Sequence, residues 1–361
     1  MRIPDRMEAA VLTGHGGLDR LSYRRDVPVP RPGPGEVLIQ VGAAGVNNTD
    51  INTRIAWYSK QVTSATSEDV TAGSTAEASA DGSWSGAAMI FPRIQGADCC
   101  GEIVAVGEGV ETARLGERVL VRALQPSADD PFACITFGSE CDGAFGQYTK
   151  TAAAHALRID CDWSDIELAS MPCAFSTAEG MLQRAAIGAE RVLVTGASGG
   201  VGSAAVQLAK RRGAEVIAVC GRDKAGAVAG LGADLVLERG ADPVASLASE
   251  SIDAVVDLVG GPAWPRLLDL LRRGGRYVTA GAIAGPIVEL DLRTLYLKDL
   301  SLLGSTWQPF EIMTNLIGYI ERGEIRPVVA KTYPLHEIVQ AQQTFLEKHF
   351  VGKLVLIPPK A

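Results

Sequence analysis

The sequence predicts a two-domain α/β protein, in which one doubly wound parallel sheet grows around a phosphate-binding turn and a second domain is built mainly from short β-strands. Three observations carry this. Between about Glu190 and Leu303, apolar strand-like runs alternate with helix-like segments, the pattern of a parallel sheet covered on both faces. The first run, Val192 to Thr195, breaks into Gly196-Ala-Ser-Gly-Gly-Val-Gly202 and then the helical Ser203-Ala-Ala-Val-Gln-Leu-Ala-Lys210. At 361 residues the chain also exceeds the size at which one hydrophobic core keeps growing.

The predicted strands of the sheet are Arg191 to Val194, Glu215 to Val219, Leu235 to Leu237, Ala254 to Leu258, Arg276 to Ala280 and Ser301 to Leu303. Each is rich in valine, isoleucine or leucine, as strands buried on both faces are. Helices are expected between them, at Ser203 to Arg212 and at Pro262 to Arg273, the latter stopped by Gly274-Gly275. The first half has a different texture. Short β-like runs, Val37 to Val41, Ile103 to Val106 and Arg118 to Val121, stand among glycines and prolines and predict an irregular barrel or sandwich. The last stretch, a strand at Val328 to Pro334, an amphipathic helix at Leu335 to Lys348 and a strand at Gly352 to Ile357, is expected to fold back onto that first half. The expected division is 1–165, 166–302 and a return segment 303–361.

One segment stands apart. Ser59 to Ala88 is loaded with Ser, Thr, Ala, Gly and acidic residues and bracketed by Trp57, Tyr58 and Trp84. Loops of this length are either functional or disordered, so a surface excursion and a lid or subunit contact both remain open.

In the glycine turn, Ala197-x-Gly199-x-x-Gly202 carries alanine at the first position of the usual dinucleotide fingerprint. Gly199 allows backbone N–H groups to approach a pyrophosphate, Gly202 allows close helix–strand packing, and the anion sits on the positive end of the helix dipole. Ser198, Gly199, Gly200 and Val201 are the expected contacts. The second strand ends Cys220-Gly221-Arg222-Asp223-Lys224. A small residue followed by Arg222 and Lys224 suits a 2′-phosphate, so Gly221, Arg222 and Lys224 point to NADPH. Asp223 keeps NADH open, because a carboxylate one residue along would suit a ribose 2′-OH.

Composition bounds the rest. Hydrophobic residues make up 47% and charged residues 21%, ordinary for a globular enzyme. The net charge of −8 argues against nucleic acid as a partner. No apolar run approaches a membrane span, and Met1-Arg-Ile-Pro-Asp-Arg6 has no apolar signal core, so no membrane association and a cytoplasmic location are expected. Seven cysteines without regular spacing fit a reducing compartment.

The motifs, taken in order, resemble the medium-chain dehydrogenase/reductase superfamily, in its quinone oxidoreductase and enoyl reductase branch. They are Gly45-Val-Asn-Asn-Thr-Asp50, Gly96-Ala-Asp-Cys-Cys-Gly101-Glu-Ile-Val-Ala-Val-Gly107, Gly116-Glu-Arg-Val119, Asp142-Gly-Ala-Phe-Gly-Gln-Tyr148, the glycine turn, Gly230-Leu-Gly-Ala-Asp234, Lys298-Asp-Leu-Ser-Leu-Leu-Gly-Ser305, Gly323-Glu-Ile-Arg-Pro327 and Gly352-Lys-Leu-Val-Leu356. The resemblance implies a GroES-like β-barrel catalytic domain from both chain ends with a Rossmann domain between them, and a homodimer joined through the edge strand near Ser301. It places Thr177 at the nicotinamide and adds Val259, Gly260, Ala280, Gly281, Ala282, Ser305 and Thr306 as cofactor contacts after the fourth, fifth and sixth strands. Lys353 is placed near the same cleft, with an ordinary surface lysine as the alternative.

The zinc-dependent members of this superfamily use a cysteine, a His-Glu pair and a second cysteine or acid. The matching positions here are Asn47, Ala97-Asp98 and Cys173, too few donors for a tetrahedral catalytic zinc. Cys99 and Cys100 are neighbours that would point to opposite faces of a strand. Cys134 and Cys141 lack a CxxC, and His15, His155, His336 and His349 are scattered. No zinc is expected. The implied reaction is hydride delivery to a small carbonyl or quinone acceptor that is already activated. Asn47 is the candidate donor to a developing enolate and Tyr58 or a water the candidate proton source, with a rim aromatic as the other reading of Tyr58; Asp50 is a catalytic candidate or a loop cap. Two alternatives remain: an alcohol or aldehyde dehydrogenase with a rebuilt zinc site, and a non-catalytic NADPH-binding protein.

Overall fold

The computed structural model describes residues 3–66, 81–127, 130 and 133–360. Its parallel sheet has the spatial order Leu235–Glu238, Glu215–Cys220, Arg191–Val194, Ile252–Asp257, Leu271–Thr279, Ser301–Gly304. The chain starts in the middle, winds outward on one side and then on the other. That leaves a crevice between Arg191–Val194 and Ile252–Asp257, at the carboxyl ends of the strands, where a doubly wound sheet binds its ligand. Val192, Leu193, Val194, Val216, Ile217, Val255 and Val256 are fully buried, which is why these strands read as continuous apolar runs.

Two helices differ from expectation. The helix after the glycine turn spans Gly200–Arg211, starting a turn earlier than the side-chain pattern implies, because Gly199 takes the extended N-cap conformation. The helix expected to run to Arg273 stops at Leu270. Leu271 already pairs with Ile252, and pairing resumes at Arg276 with Ala254. The intervening residues 272–275 loop out, with Gly274 at φ +74 donating its N–H to the Lys298 carbonyl. Gly274-Gly275 therefore makes a bulge in a strand rather than a helix stop.

The second sheet has the order Ala156–Arg158, Arg118–Val121, Cys100–Val106, Glu36–Val46, Lys353–Ile357, Val329–Pro334, with Tyr148–Ala152 also on Glu36–Val46. The long central strand pairs with first-half strands along its length and, at its end, with the last strand through Val46↔Leu354 and Gly45↔Val355. The return segment does fold onto the first half. Between its two strands, Leu335–Glu337 is a 3₁₀ turn and Ile338–Glu347 the helix, closed by Lys348 in the left-handed conformation.

Past residue 302 the chain still packs against the parallel sheet. Helix Phe310–Glu321 buries Ile312, Met313, Leu316 and Ile320 in the core shared by helix Pro172–Arg184 and the parallel sheet. Its apolar stripe follows helical spacing and needs a covered face, which this sheet offers. The same core also takes in Ala43, Cys100, Leu120 and Val355 from the barrel strands. Of the 59–88 excursion, residues 67–80 lie outside the described residues. Its flanks are tied down: Trp57 Nε1 donates to the Ser64 carbonyl at 3.1 Å, the Tyr58 and Trp84 rings stack 6.0 Å apart, and Thr66 N donates to the Ile283 carbonyl beside the parallel sheet. Among the described residues no helix is long and apolar enough to cross a membrane.

Candidate active site

The glycine turn is shaped by contacts that side chains would block. Gly196 carries the positive φ, +61°, that the turn needs. The residue after it, Ala197, therefore needs no such freedom, and it is fully buried with its N–H on the Val219 carbonyl. A Cβ on Gly202 would stand 2.2 Å from the Gly196 carbonyl oxygen, whereas one on Gly199 would meet only that oxygen at 3.5 Å. Gly202 is required by packing. Gly199 leaves open space at the helix N-terminus, the geometry an anion needs.

The other expected contacts converge on the same ends of the strands. Asp257, at the end of the fourth strand, is fully buried and accepts from Thr195 Oγ1, Val259 N, Tyr277 OH and Gly260 N. It fixes the turn carrying Val259 and Gly260, and the Ala284 N–H joins that turn through the Val259 carbonyl. Gly281 N lies on Thr279 Oγ1 and Ser305 N on the Thr279 carbonyl, so Ala280, Gly281, Ala282 and Ser305 share one rim. Asp257 was not singled out from the sequence. An acid closing an apolar strand is the signal that marks it.

At the outer end of the crevice, Arg222 donates from Nε and Nη2 to Glu238 Oε2, at 3.0 and 2.7 Å, with most of its side chain in solvent. Lys224 Nζ donates to the Lys348 carbonyl. Of the two cations expected at a 2′-phosphate, Arg222 is already occupied by the neighbouring strand.

On the barrel side, Asn47 caps helix Asn48–Arg54 in a reciprocal capping box with Asp50. Asp50 is buried and accepts from Asn47 N at 2.7 Å and Gly96 N at 3.3 Å. Burial pushes its carboxyl up to about 7, against the pull of the Asn47 N–H and the Lys353 charge. This geometry makes Asp50 a loop-holding group rather than one facing a ligand. Asp50→Ala is expected to cost about 2 kcal/mol in a urea titration, the sum of a lost cap and an unsatisfied N–H. Since the folded value lies above the unfolded one, the native carboxyl stabilises most below about pH 4 and loses that advantage as pH rises through 7. The deficit of the variant should shrink accordingly, and a deficit that grows with pH would contradict this.

Asp98 is the centre of the site. It is fully buried; Oδ1 accepts from Cys173 N at 2.6 Å, and Oδ2 from Asn47 Nδ2 and Lys353 Nζ, both at 2.8 Å. Lys353 Nζ also donates to Asn47 Oδ1. Lys353 is thus neither a surface lysine nor turned toward the glycine turn. Its stem crosses Gly200, whose missing Cβ would meet Lys353 Cδ at 2.7 Å, and its ammonium enters the barrel side. Gly200 makes room for that stem. Both ends of the Asn47 amide are engaged by Asp98 and Lys353, and its second N–H has only a long contact, 3.4 Å, to the Gly45 carbonyl.

Tyr58 packs between Trp57 and Trp84. Burial pushes its hydroxyl up to about 12, opposed by hydrogen bonding to Thr49 and Asn52. Thr177 lies against the Cys173 thiol, which burial and the Asp98 charge push upward. Beside that thiol, Ala97 and Ala123 complete a small apolar cluster.

The structure brings Asn47, Asp98 and Cys173 together, but their chemistry does not fit a catalytic zinc. One is an amide, one carboxylate is committed to an ammonium, and alanine stands at the histidine position, which leaves the Cys173 thiol as the one uncommitted donor of the three. Zinc needs about three ionised or neutral N, S or O donors free to coordinate. Among the described residues no group of three or more His, Cys, Asp or Glu side chains is placed to hold a metal.

A GroES-like barrel interrupted by a dinucleotide-type parallel sheet, with the site between them, defines an oxidoreductase architecture. The chain belongs to the medium-chain dehydrogenase/reductase superfamily. Residues 33–160 match the alcohol dehydrogenase GroES-like domain and residues 200–322 the zinc-binding dehydrogenase family. The crystal structure of a provisionally named alcohol dehydrogenase from Sinorhizobium meliloti 1021 is 48% identical, with TM-score 0.88 over 99% of this chain and 98% of that one. Acryloyl-coenzyme A reductase of Metallosphaera sedula is 30% identical over 97% of this chain and 99% of its own length. Quinone oxidoreductase of Rattus norvegicus is 26% identical over 97% and 98% respectively.

Proposed function

We propose that this protein is an NADPH-dependent, zinc-independent reductase that delivers hydride to a quinone or an α,β-unsaturated carbonyl. The observation that carries this reading is the buried Lys353–Asp98 pair where zinc-dependent relatives hold their metal. An ammonium there supplies positive charge without an open coordination site. Bound in the crevice, the cofactor would supply the hydride.

The glycine turn and the rim of Val259, Ala280, Gly281, Ala282 and Ser305 would bind and orient it. Thr177 and the Ala97–Ala123–Cys173 cluster would form the floor beside the transferring carbon, and Tyr58 would bound the acceptor from the barrel side. Such a site orients and excludes water and does little to polarise a bond, which suits an acceptor that is electron-poor on its own. The names of the reductase relatives support the same class. Purified protein should oxidise NADPH with quinones or enones and reduce simple aldehydes at least about a hundredfold more slowly, a gap of about 2.7 kcal/mol in barrier. Faster turnover of aldehydes or alcohols would favour the rebuilt dehydrogenase, and tight NADPH binding without turnover the non-catalytic alternative.

A cytoplasmic homodimer is also proposed. Among the described residues, edge strand Ser301–Gly304 is paired on one side alone, and Ile287, Leu292, Tyr296 and Leu297, which precede it in the chain, are exposed apolar groups of the kind that mark interfaces. Sedimentation should show a dimer that Leu292→Lys/Leu297→Lys converts to monomer; a monomeric parent would contradict it.

A further inference from the structure

We infer that Lys348, working with Lys224, is the residue that recognises the adenosine 2′-phosphate, so that the turn 348–352 of the return segment reads the cofactor across the domain boundary. The inference rests on the NADPH reading above. Sequence reasoning did not single out Lys348, and it lies far along the chain from the strand end that usually sets this preference.

The placement comes from three contacts. Gly352 N donates to the Ser198 carbonyl at 2.9 Å, which seats the 348–352 turn on the glycine turn itself. Lys224, just past the end of the second strand, donates its ammonium to the Lys348 carbonyl. Lys348 takes a left-handed conformation, φ 57° and ψ 27°, and its Nζ lies 3.6 Å from the centre of the Phe345 ring. The Lys348 carbonyl thus meets the side chain of Lys224, which follows the second strand, and the end of that strand is the position from which a doubly wound sheet addresses the adenosine ribose.

The charges around it are unbalanced. Arg222 has Glu238 and Lys353 has Asp98, but neither Lys224 nor Lys348 has a carboxylate partner among the described residues. The charged groups acting on Lys348 are Lys224 and Lys353, both cations. Burial, reinforced by those two ammoniums, holds its own ammonium down to about 7. Lys224 and Lys348, near enough for the charge of one to act on the other and without a carboxylate partner among the described residues, would hold a compact dianion between them. A lysine suits this role as a point charge, where Arg222 is already committed. A phosphate arriving between Lys224 and Lys348 would reverse the local field, so Lys348 would take up a proton on binding.

Calorimetric titration of the whole protein with NADPH and with NADH at pH 8, in two buffers of different ionisation heat, tests this. The parent should bind NADPH more tightly and take up close to one proton with NADPH but much less with NADH. Lys348→Met should raise the Kd for NADPH tenfold or more, leave that for NADH within about twofold, and abolish the extra uptake; charged contacts to phosphate are worth this much. Lys348→Arg should keep the preference for NADPH, and Lys224→Met should weaken it, so the test survives if the methionine variant at 348 fails to fold. A parent with no preference for NADPH would overturn the NADPH reading and this inference with it. A parent that prefers NADPH, with the preference unchanged in Lys348→Met, would overturn the inference alone. Equal losses for both cofactors would place Lys348 at the diphosphate and equally overturn it.

Discussion

Lys353→Met is expected to destabilise the protein by about 3–5 kcal/mol and to remove most of its turnover. Removing one partner of a buried ion pair has this cost because the other charge stays behind without compensation. Asp98 is fully buried and Lys353 nearly so. Without the ammonium, Asp98 Oδ2 keeps only the Asn47 amide, and the Asn47 oxygen loses its donor. Because Asp98 Oδ1 also holds Cys173 N at the start of helix Pro172–Arg184, the damage reaches the helix that carries Thr177. The double variant Lys353→Met/Asp98→Asn should recover a large part of the stability, since the stranded charge is gone, but not the turnover. Urea titration and NADPH oxidation rates on the two singles and the double separate these effects. Additive losses in stability would mean that the pair does not act as a unit.

Gly202→Ala should eliminate measurable NADPH binding while leaving the barrel folded. The added methyl would stand 2.2 Å from the Gly196 carbonyl oxygen and 2.7 Å from Ala197 Cα, both backbone atoms that cannot rotate away. Overpacking of this kind costs about 3 kcal/mol or more, and here the strain relaxes by lifting the first turn of helix Gly200–Arg211 off its strand. The N–H groups of that turn would then no longer converge on the diphosphate. Fluorescence titration should show Kd raised by at least about a hundredfold, roughly 2.7 kcal/mol. Gly199→Ala, with nothing nearer than 3.5 Å, should keep the fold and lose less. Equal binding by Gly202→Ala and the parent would mean that the turn does not form this site.

The parallel sheet was legible because its strands are buried on both faces, so Val192–Val194 or Ala254–Val256 must be apolar throughout. The glycine turn was legible for a similar reason: Gly202 has no alternative under a 2.2 Å contact. The packing of helix Phe310–Glu321 on helix Pro172–Arg184 was not legible, because an amphipathic stripe states that a face is buried and not against what. The pairing of Arg222 with Glu238 was not legible, because Glu238 lies on an adjacent strand that only the fold brings close. Lys353 and Asp98 are 255 residues apart in the chain, so only the fold reveals their ion pair. The reciprocal cap of Asn47 and Asp50 depends on the helix that starts between them, a pairing that neither residue type announces alone.

Metal content measured alongside enone or quinone reduction, before and after prolonged chelation, bears most directly on a site built around Lys353 and Asp98. Zinc well below one equivalent per subunit, with NADPH-dependent reduction unchanged by the chelator, is the expected result. One zinc per subunit, with reduction lost on its removal and restored on its return, would contradict it.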